Sequence, residues 1–218
     1  MTRSEENYLK AIYHISGMEK NAVATNDIAK KIETKPSSVT DMLKKLSEKG
    51  LVVYTKYKGV SLSETGTKTA LSVIRKHRLW ETFLVEKLNF MWDEVHEVAE
   101  QLEHIQSEKL VEHLDAFLGF PKSDPHGDPI PSNKGEFRKI HKKLLTEVPE
   151  ATQGICVGVK NSSAIFLKFL DKNNMALGDT ITVLEKEEFD GSMEIRIRNN
   201  QFRISNDIAA NLYIRPND

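Results

Sequence analysis

The sequence predicts a mainly α-helical protein with a small β domain at its C-terminal end. Three patterns carry that expectation. The first sixty residues alternate short helical patterns and finish in a brief alternating stretch. Residues 64–118 keep apolar side chains at helical spacing almost without interruption. From Gly154 onward the apolar residues come in short runs separated by turn residues.

Each element follows in order. "SEENYLKAIYHIS" places Tyr8, Leu9, Ile12, Tyr13 and Ile15 on one helical face. "TNDIAKKI" is a short helix with Thr25 or Asn26 placed to cap it, and "ETK" is a tight connection. "PSSVTDMLKKLSEKG" is the next helix. Pro36 suits its first turn, Ser38 and Asp41 have capping-box spacing, and Gly50 suits the stop. Val39, Met42, Leu43 and Leu46 form its buried face. "LVVYTKYKGVSLSE" alternates around Lys58-Gly59 as a two-stranded wing does. Helix, tight turn, helix and basic hairpin make a winged helix-turn-helix over residues 1–63.

Residues 64–135 follow as a helical domain. "TGTKTALSVIRKHRLWETFLVEKL", "WDEVHEVAEQLEHI" and "SEKLVEHLDAFL" are its helices. The stripes Leu79, Phe83, Leu84, Leu88 and Leu110, Leu114, Phe117, Leu118 are wide enough for a core or a subunit interface, and a homodimer is expected. The domain ends in the proline- and glycine-rich "GFPKSDPHGDPIPSNKG". A linker over 136–153 follows, in which "FRKIHKKLL" is expected to form a helical turn. The β domain then runs over 154–218, with turns at "FDGS" and "RNNQ" and one short helix in "SSAIFLKFLDK".

The chain has 218 residues, 39% hydrophobic and 29% charged, with a formal net charge of −1. No apolar run approaches the ~20 residues that span a bilayer, and the N-terminus lacks the apolar core of a signal peptide. The single cysteine, Cys156, excludes an intramolecular disulfide and fits a reducing cytoplasm; it is expected in the core. A cytoplasmic protein with no membrane partner is expected. The charge is unevenly spread: residues 1–60 hold 11 Lys/Arg against 7 Asp/Glu, and residues 61–120 hold 6 against 11. A basic block followed by an acidic one suits a polyanion contact beside a cation site.

The second helix of the pair would enter the DNA major groove N-terminus first, presenting Ser37, Ser38 and Thr40, then Lys44. Hydroxyls reach phosphates or base edges, and Lys56 and Lys58 on the wing suit phosphate. The same topology can serve protein contacts, but basic charge on both groove-facing elements favours DNA.

"VHEVAEQLEHIQSE" poses a second question. His96, Glu100, Glu103 and His104 are spaced i, i+4, i+7, i+8, and on the preceding helix His77 and Glu81 are i, i+4. Such a stretch is either a solvated face or a set of nitrogen and oxygen ligands for a first-row divalent metal. "HEVAE" also resembles the zinc-peptidase pattern, with Glu100 where the second histidine belongs.

Three stretches, "KPSSVTDMLKKLSEKGLV", "RKHRLWETFL" with "EVHEVAEQLEHIQSE", and "DPHGDPIP", make the chain resemble the diphtheria-toxin-repressor family of metal-dependent transcriptional regulators. With the β-rich tail the resemblance covers essentially the whole chain. It implies a winged helix, a helical metal-binding and dimerisation domain, and an SH3-like β-barrel. It implies a homodimer on palindromic operator DNA when metal-loaded, repressing metal-uptake genes. It implies ancillary ligands His77, Glu81 and His96, and primary ligands Asn7, Glu100, Glu103 and His104. Glutamate at position 100 makes the chain similar to the manganese-responsive members, so Mn²⁺ is favoured, with Fe²⁺ possible and Zn²⁺ or Co²⁺ as substitutes. Asn7 stands where those members usually carry aspartate, and Lys10 where the short ones carry a glutamate ligand. Some relatives add a Glu and a Gln from the C-terminal domain, at positions that match Ser162 and Ile165. The remaining histidines, His14, His113, His126 and His141, are expected to be structural or exposed, with His126 shaping the linker rather than binding metal. An enzyme and a small-molecule substrate are not expected. Two other readings remain: a winged-helix regulator sensing a non-metal ligand, and a metal-dependent hydrolase with an appended helix-turn-helix.

Overall fold

The computed structural model describes residues 1–17, 21–55, 58–92, 94–137 and 141–216. They fall into two compact units: Met1–His77 with Glu100–Glu108 and Pro131–Phe137, and Arg78–Ala99 with Lys109–Ile130 and Arg138–Asp218.

In the first unit, α1 (Arg3–Ser16) starts from a capping box. Thr2 Oγ1 accepts from the Glu5 amide, and the Glu5 carboxylate accepts from the Thr2 amide. The other Glu5 oxygen accepts from Lys45 and Lys49, at 3.1 and 2.8 Å. α2 (Thr25–Lys31) starts earlier than either expected cap, Thr25 or Asn26, allows, with Ala24 at the cap and no side-chain bond. The cause is tertiary: Val23 is bridged to Val60, which holds the chain extended up to Ala24 and puts Thr25 and Asn26 inside the first turn. α3 (Pro36–Glu48) has Pro36 in its first turn as expected, but no capping box forms. Ser38 and Asp41 both lie within the helix, where Asp41 pairs with Lys44 at 3.4 Å.

The wing is β1 (Val52–Thr55) paired antiparallel with β2 (Gly59–Leu62), Val52 opposite Leu62. Gly59 has φ +96°, and a side chain there would strike the Val23 carbonyl. Leu9 and Ile12 of α1, Ile28 of α2, and Val39, Leu43 and Leu46 of α3 are fully buried together with Val60. α4 (Glu64–Leu88) begins against this core; Ser63 Oγ accepts from the Gly66 amide at 3.0 Å. α5 (Val95–Leu102) is shorter than the pattern suggested, so Glu103 and His104 stand in the turn that follows it.

The second unit holds α6 residues from Lys109 on (α6 is Glu108–Phe117), the loop 119–130 and the C-terminal sheet. The sheet comprises β3 (Lys143–Leu144), β4 (Gln153–Val159), β5 (Thr180–Lys186), β6 (Met193–Ile197), β7 (Asn200–Ile204) and β8 (Leu212–Pro216). All neighbours are antiparallel, in the order β3-β8-β4-β5-β6-β7. α7 (Ala164–Lys172) and α8 (Asn206–Ala209) complete it. Register shifts between Cys156 and Gly158 and between Val183 and Glu185 break the ladder, as bulges do where sheets bend. The helical turn expected in "FRKIHKKLL" does not form over 141–144; Lys143 and Leu144 pair with Ile214 and Tyr213 instead, because strand pairing satisfies their backbone. Cys156 is buried in β4, and burial pushes its thiol up to about 11, which suits the expected core role.

Two predictions follow from the first unit. Gly66→Ala should gain about 1 kcal/mol of helix propensity, but the new methyl would meet the Leu51 carbonyl at less than van der Waals distance. Overpacking costs about 1–3 kcal/mol, so urea denaturation should show net destabilisation. The second concerns Glu5, whose bond to Lys49 pulls its carboxyl down from 4.5 to about 2 against the opposing effect of burial. Its contribution to stability is complete above about pH 4.5 and disappears as pH falls towards 2. Glu5→Gln should therefore be less stable than the wild type at neutral pH, and the two unfolding midpoints should converge on acidification.

Candidate metal centre and nucleic-acid interface

α1 delivers three polar side chains, Glu6, Asn7 and Lys10, to the first unit. Glu6 is buried, and its carboxylate accepts from His104 Nδ1 at 2.5 Å and Gln106 Nε2 at 2.9 Å. Asn7 follows, and Lys10 lies one turn on. The Lys10 ammonium is 2.5 Å from Glu100 Oε1 and 2.9 and 2.7 Å from the two Glu103 oxygens. Glu103 is fully buried, and its Oε2 also accepts from His77 Nδ1 at 2.6 Å. Ligand atoms of His77, Glu100 and Glu103 lie within 4.8 Å of one another.

Two atoms test whether this group suits a cation. Asn7 Oδ1 and His104 Nε2 are buried and have no hydrogen-bond partner among the described residues. A buried acceptor left unmade costs about 1–3 kcal/mol. Both atoms are lone-pair donors, and Glu103 Oε1 is 3.6 Å from His104 Nε2. Glu6 fixes the proton of His104 on Nδ1, the arrangement that leaves Nε2 for a metal. The residues therefore fit a divalent ion. Glu6 is a participant that sequence reasoning missed; its signal was a charged residue in the apolar face of α1.

The second unit has its own cluster. Ligand atoms of Glu81, Asp124 and His126, all buried, lie within 4.8 Å of one another. His126 Nε2 donates to the Trp92 carbonyl at 3.2 Å, which turns Nδ1 towards Glu81 Oε2 at 3.7 Å. Exposed His96 reaches Glu81 Oε1 at 3.2 Å. Burial raises the Asp124 carboxyl to about 7, with Glu81 and Asp128 adding to the rise and Arg78 and His126 opposing it. Burial works against the His126 charge, but the hydrogen bond and charge of Glu81 and the charge of Asp124 outweigh it and raise the imidazole to about 9.

The loop carrying these residues is held firmly. Asp124 Oδ1 accepts from the His126 and Asp128 amides at 2.9 Å each. Arg78 donates to the Pro129 carbonyl and pairs with Asp124 at 3.5 Å. Val159 of β4 donates to the His126 carbonyl at 2.8 Å. So His126 does shape the loop, and its imidazole also faces two carboxylates. The signal was one Asp and one His inside "DPHGDPIP", with nothing in the spacing to connect them to Glu81. Ser162 and Ile165 are exposed.

Residues 1–60 match the family described as "Iron dependent repressor, N-terminal DNA binding domain", and residues 63–132 match "Iron dependent repressor, metal binding and dimerisation domain". The HTH-type transcriptional regulator MJ0568 of Methanocaldococcus jannaschii is 37% identical over 118 residues, covering 54% of this chain and 94% of that protein. A solved structure of a manganese-dependent transcriptional repressor complex with manganese is 32% identical with a TM-score of 0.79, covering 97% of this chain and 99% of that one.

The chain belongs to the diphtheria-toxin-repressor family.

Members of this family are metal-dependent transcriptional repressors, not enzymes, which removes the hydrolase reading. The iron-dependent repressor IdeR of Mycobacterium tuberculosis is 32% identical over 126 residues, 58% of this chain and 54% of IdeR, so the chain aligns with about half of that relative. Residues 143–216 match the FeoA domain, which makes the C-terminal domain of this family member the SH3-like one. On the DNA-facing elements of the family, Ser37, Ser38, Lys44 and Lys58 are exposed here. The Thr40 hydroxyl is partly buried and donates to the Pro36 carbonyl at 3.0 Å. Lys56 lies outside the described residues.

Proposed function

We propose that this repressor senses a divalent ion, Mn²⁺ in preference to Fe²⁺, at Asn7, Glu100, Glu103 and His104, and binds palindromic operator DNA in the cytoplasm as a homodimer when loaded. The observation that carries this reading is the buried, unpartnered His104 Nε2 at 3.6 Å from Glu103 Oε1, together with the buried Asn7 Oδ1 on α1, which also has no hydrogen-bond partner among the described residues. All the donors are oxygen or imidazole nitrogen, which suits a hard to borderline ion, and no thiolate is near to favour a softer one. When bound, the ion supplies positive charge and a bond from α1 to the turn after α5.

The protein's own residues do the rest. Glu6 holds the His104 ring, and Glu5 on the same helix holds Lys45 of α3 and Lys49 at its C-terminal cap. Any shift of α1 is thus felt by the helix that enters the major groove. Metal and operator then strengthen each other's binding reciprocally, by about 1–3 kcal/mol or ~5–150-fold in affinity. A second ion position is proposed at Glu81, Asp124 and His126, with His96 on the outer side of Glu81. Uptake genes for the same metal are the proposed targets.

The metal reading is tested by calorimetry and by gel shift across an anaerobic metal series. Glu103→Ala or His104→Ala should abolish metal-dependent DNA binding while circular dichroism stays native. Glu100→Cys should move activation from Mn²⁺ towards Fe²⁺ or Co²⁺. Asp124→Ala should remove the second ion and leave the first. Full metal-dependent DNA binding by Glu103→Ala would sink the assignment.

The interface reading is tested with Lys44→Ala. It should weaken binding to all sequences and lower the slope of log affinity against log salt by roughly 0.9.

Dimer formation is proposed to use the exposed apolar residues of the helical region, among them Phe117 at 65% and Leu110 at 41% exposure. Phe117→Glu should shift sedimentation equilibrium from dimer towards monomer at micromolar protein.

A further inference from the structure

Lys10 lies in an unusual place for a lysine. Its side chain is 13% exposed, and its ammonium donates to Glu100 Oε1 and to both oxygens of Glu103. Glu103 has no exposed surface, and its Oε2 also accepts from His77. The carboxylate oxygens best suited to a hard cation are therefore already engaged by a cation that the chain carries itself. A protonated amine has no lone pair, so Lys10 cannot join a metal as a ligand.

We propose that Lys10 is a built-in competitor at the metal centre. In the metal-free protein its ammonium occupies Glu100 and Glu103; an incoming ion must displace it, so Lys10 sets the metal concentration at which the repressor responds. The proposal rests on the assignment of Glu100 and Glu103 as ion ligands.

Two effects have the same sign. A divalent ion must replace three short ammonium contacts before it gains the carboxylates, so only the difference appears as affinity. An ammonium that remains nearby then repels the ion, and in a buried setting that repulsion is weakly screened. Against them stands preorganisation: Lys10 holds Glu100 and Glu103 near each other, which by itself would favour binding. The outcome for a neutral side chain at position 10 separates the two. Competition predicts tighter metal binding without the ammonium, whereas preorganisation predicts weaker binding.

The experiment measures Mn²⁺ binding to the full chain by titration calorimetry and by the electron paramagnetic resonance of free Mn²⁺. Lys10→Gln and Lys10→Met are the neutral variants, Lys10→Arg keeps the charge, and Glu103→Ala identifies the site. Thermal melts in chelator and with Mn²⁺ accompany each. The neutral variants should bind Mn²⁺ at the Glu103-dependent site about tenfold more tightly or better. Their melting temperature in chelator should fall, because buried Glu103 and partly exposed Glu100 lose their counter-charge, and Mn²⁺ should restore it. Lys10→Arg should stay within about threefold of the wild type. Equal or weaker affinity in both neutral variants overturns the competition and leaves Lys10 as a positioning residue. If neither the wild type nor the neutral variants bind Mn²⁺ in a Glu103-dependent way, the ion assignment itself fails and takes this proposal with it.

Discussion

A carboxylate with no contact to water must be neutralised by its surroundings, and Glu103 imposes that requirement on the first unit. Its oxygens take Lys10 from α1 and His77 from α4, and His104 beside it turns towards Glu6. Removing one partner from such a buried group costs several kcal/mol, because the remaining charge stays behind. α1, α4 and the turn after α5 are therefore held in one arrangement by charge as well as by apolar packing.

α1 ties this cluster to α3. Within six residues it presents Glu5 to Lys45 of α3 and to Lys49 just after it, Glu6 to His104, and Lys10 to Glu100 and Glu103. A helix is stiff over that length, so a displacement at Asn7 is shared by Glu5 one half-turn away. Lys45 and Lys49 reach Glu5 while staying exposed, and Lys44 beside them pairs with Asp41 at 3.4 Å.

The second cluster rests on a different device. Buried Asp124 is held by Arg78 and the loop amides, His126 by the Trp92 carbonyl, and Glu81 faces His126 and His96. The His126 backbone is bonded to β4, and the Lys142 ammonium lies 3.9 Å from the Tyr213 ring centroid while its Nζ is 3.4 Å from the Gly127 carbonyl. The SH3-like sheet therefore grips the loop that carries the cluster, through main-chain contacts that do not depend on Ser162 or Ile165.

The order of the elements, the helical character of 64–118 and the winged module were legible in the sequence because apolar spacing and turn residues act locally. The same holds for Pro36 in its first turn and for the burial of Val39, Leu43 and Leu46. What failed locally failed for tertiary reasons: the Val23–Val60 bridge moved the start of α2, and strand pairing with β8 replaced a helical turn at Lys143 and Leu144. Helical spacing drew His96, Glu100, Glu103 and His104 into one face, but α5 stops at Leu102 and the turn redirects the last two. The histidine and glutamate ligand types were readable, since their donor atoms are fixed by the side chain. Their partners were not. Glu6 with His104, Lys10 with Glu103, and Asp124 and His126 with Glu81 lie tens of residues apart, and no periodicity encodes contacts made only when the chain closes on itself.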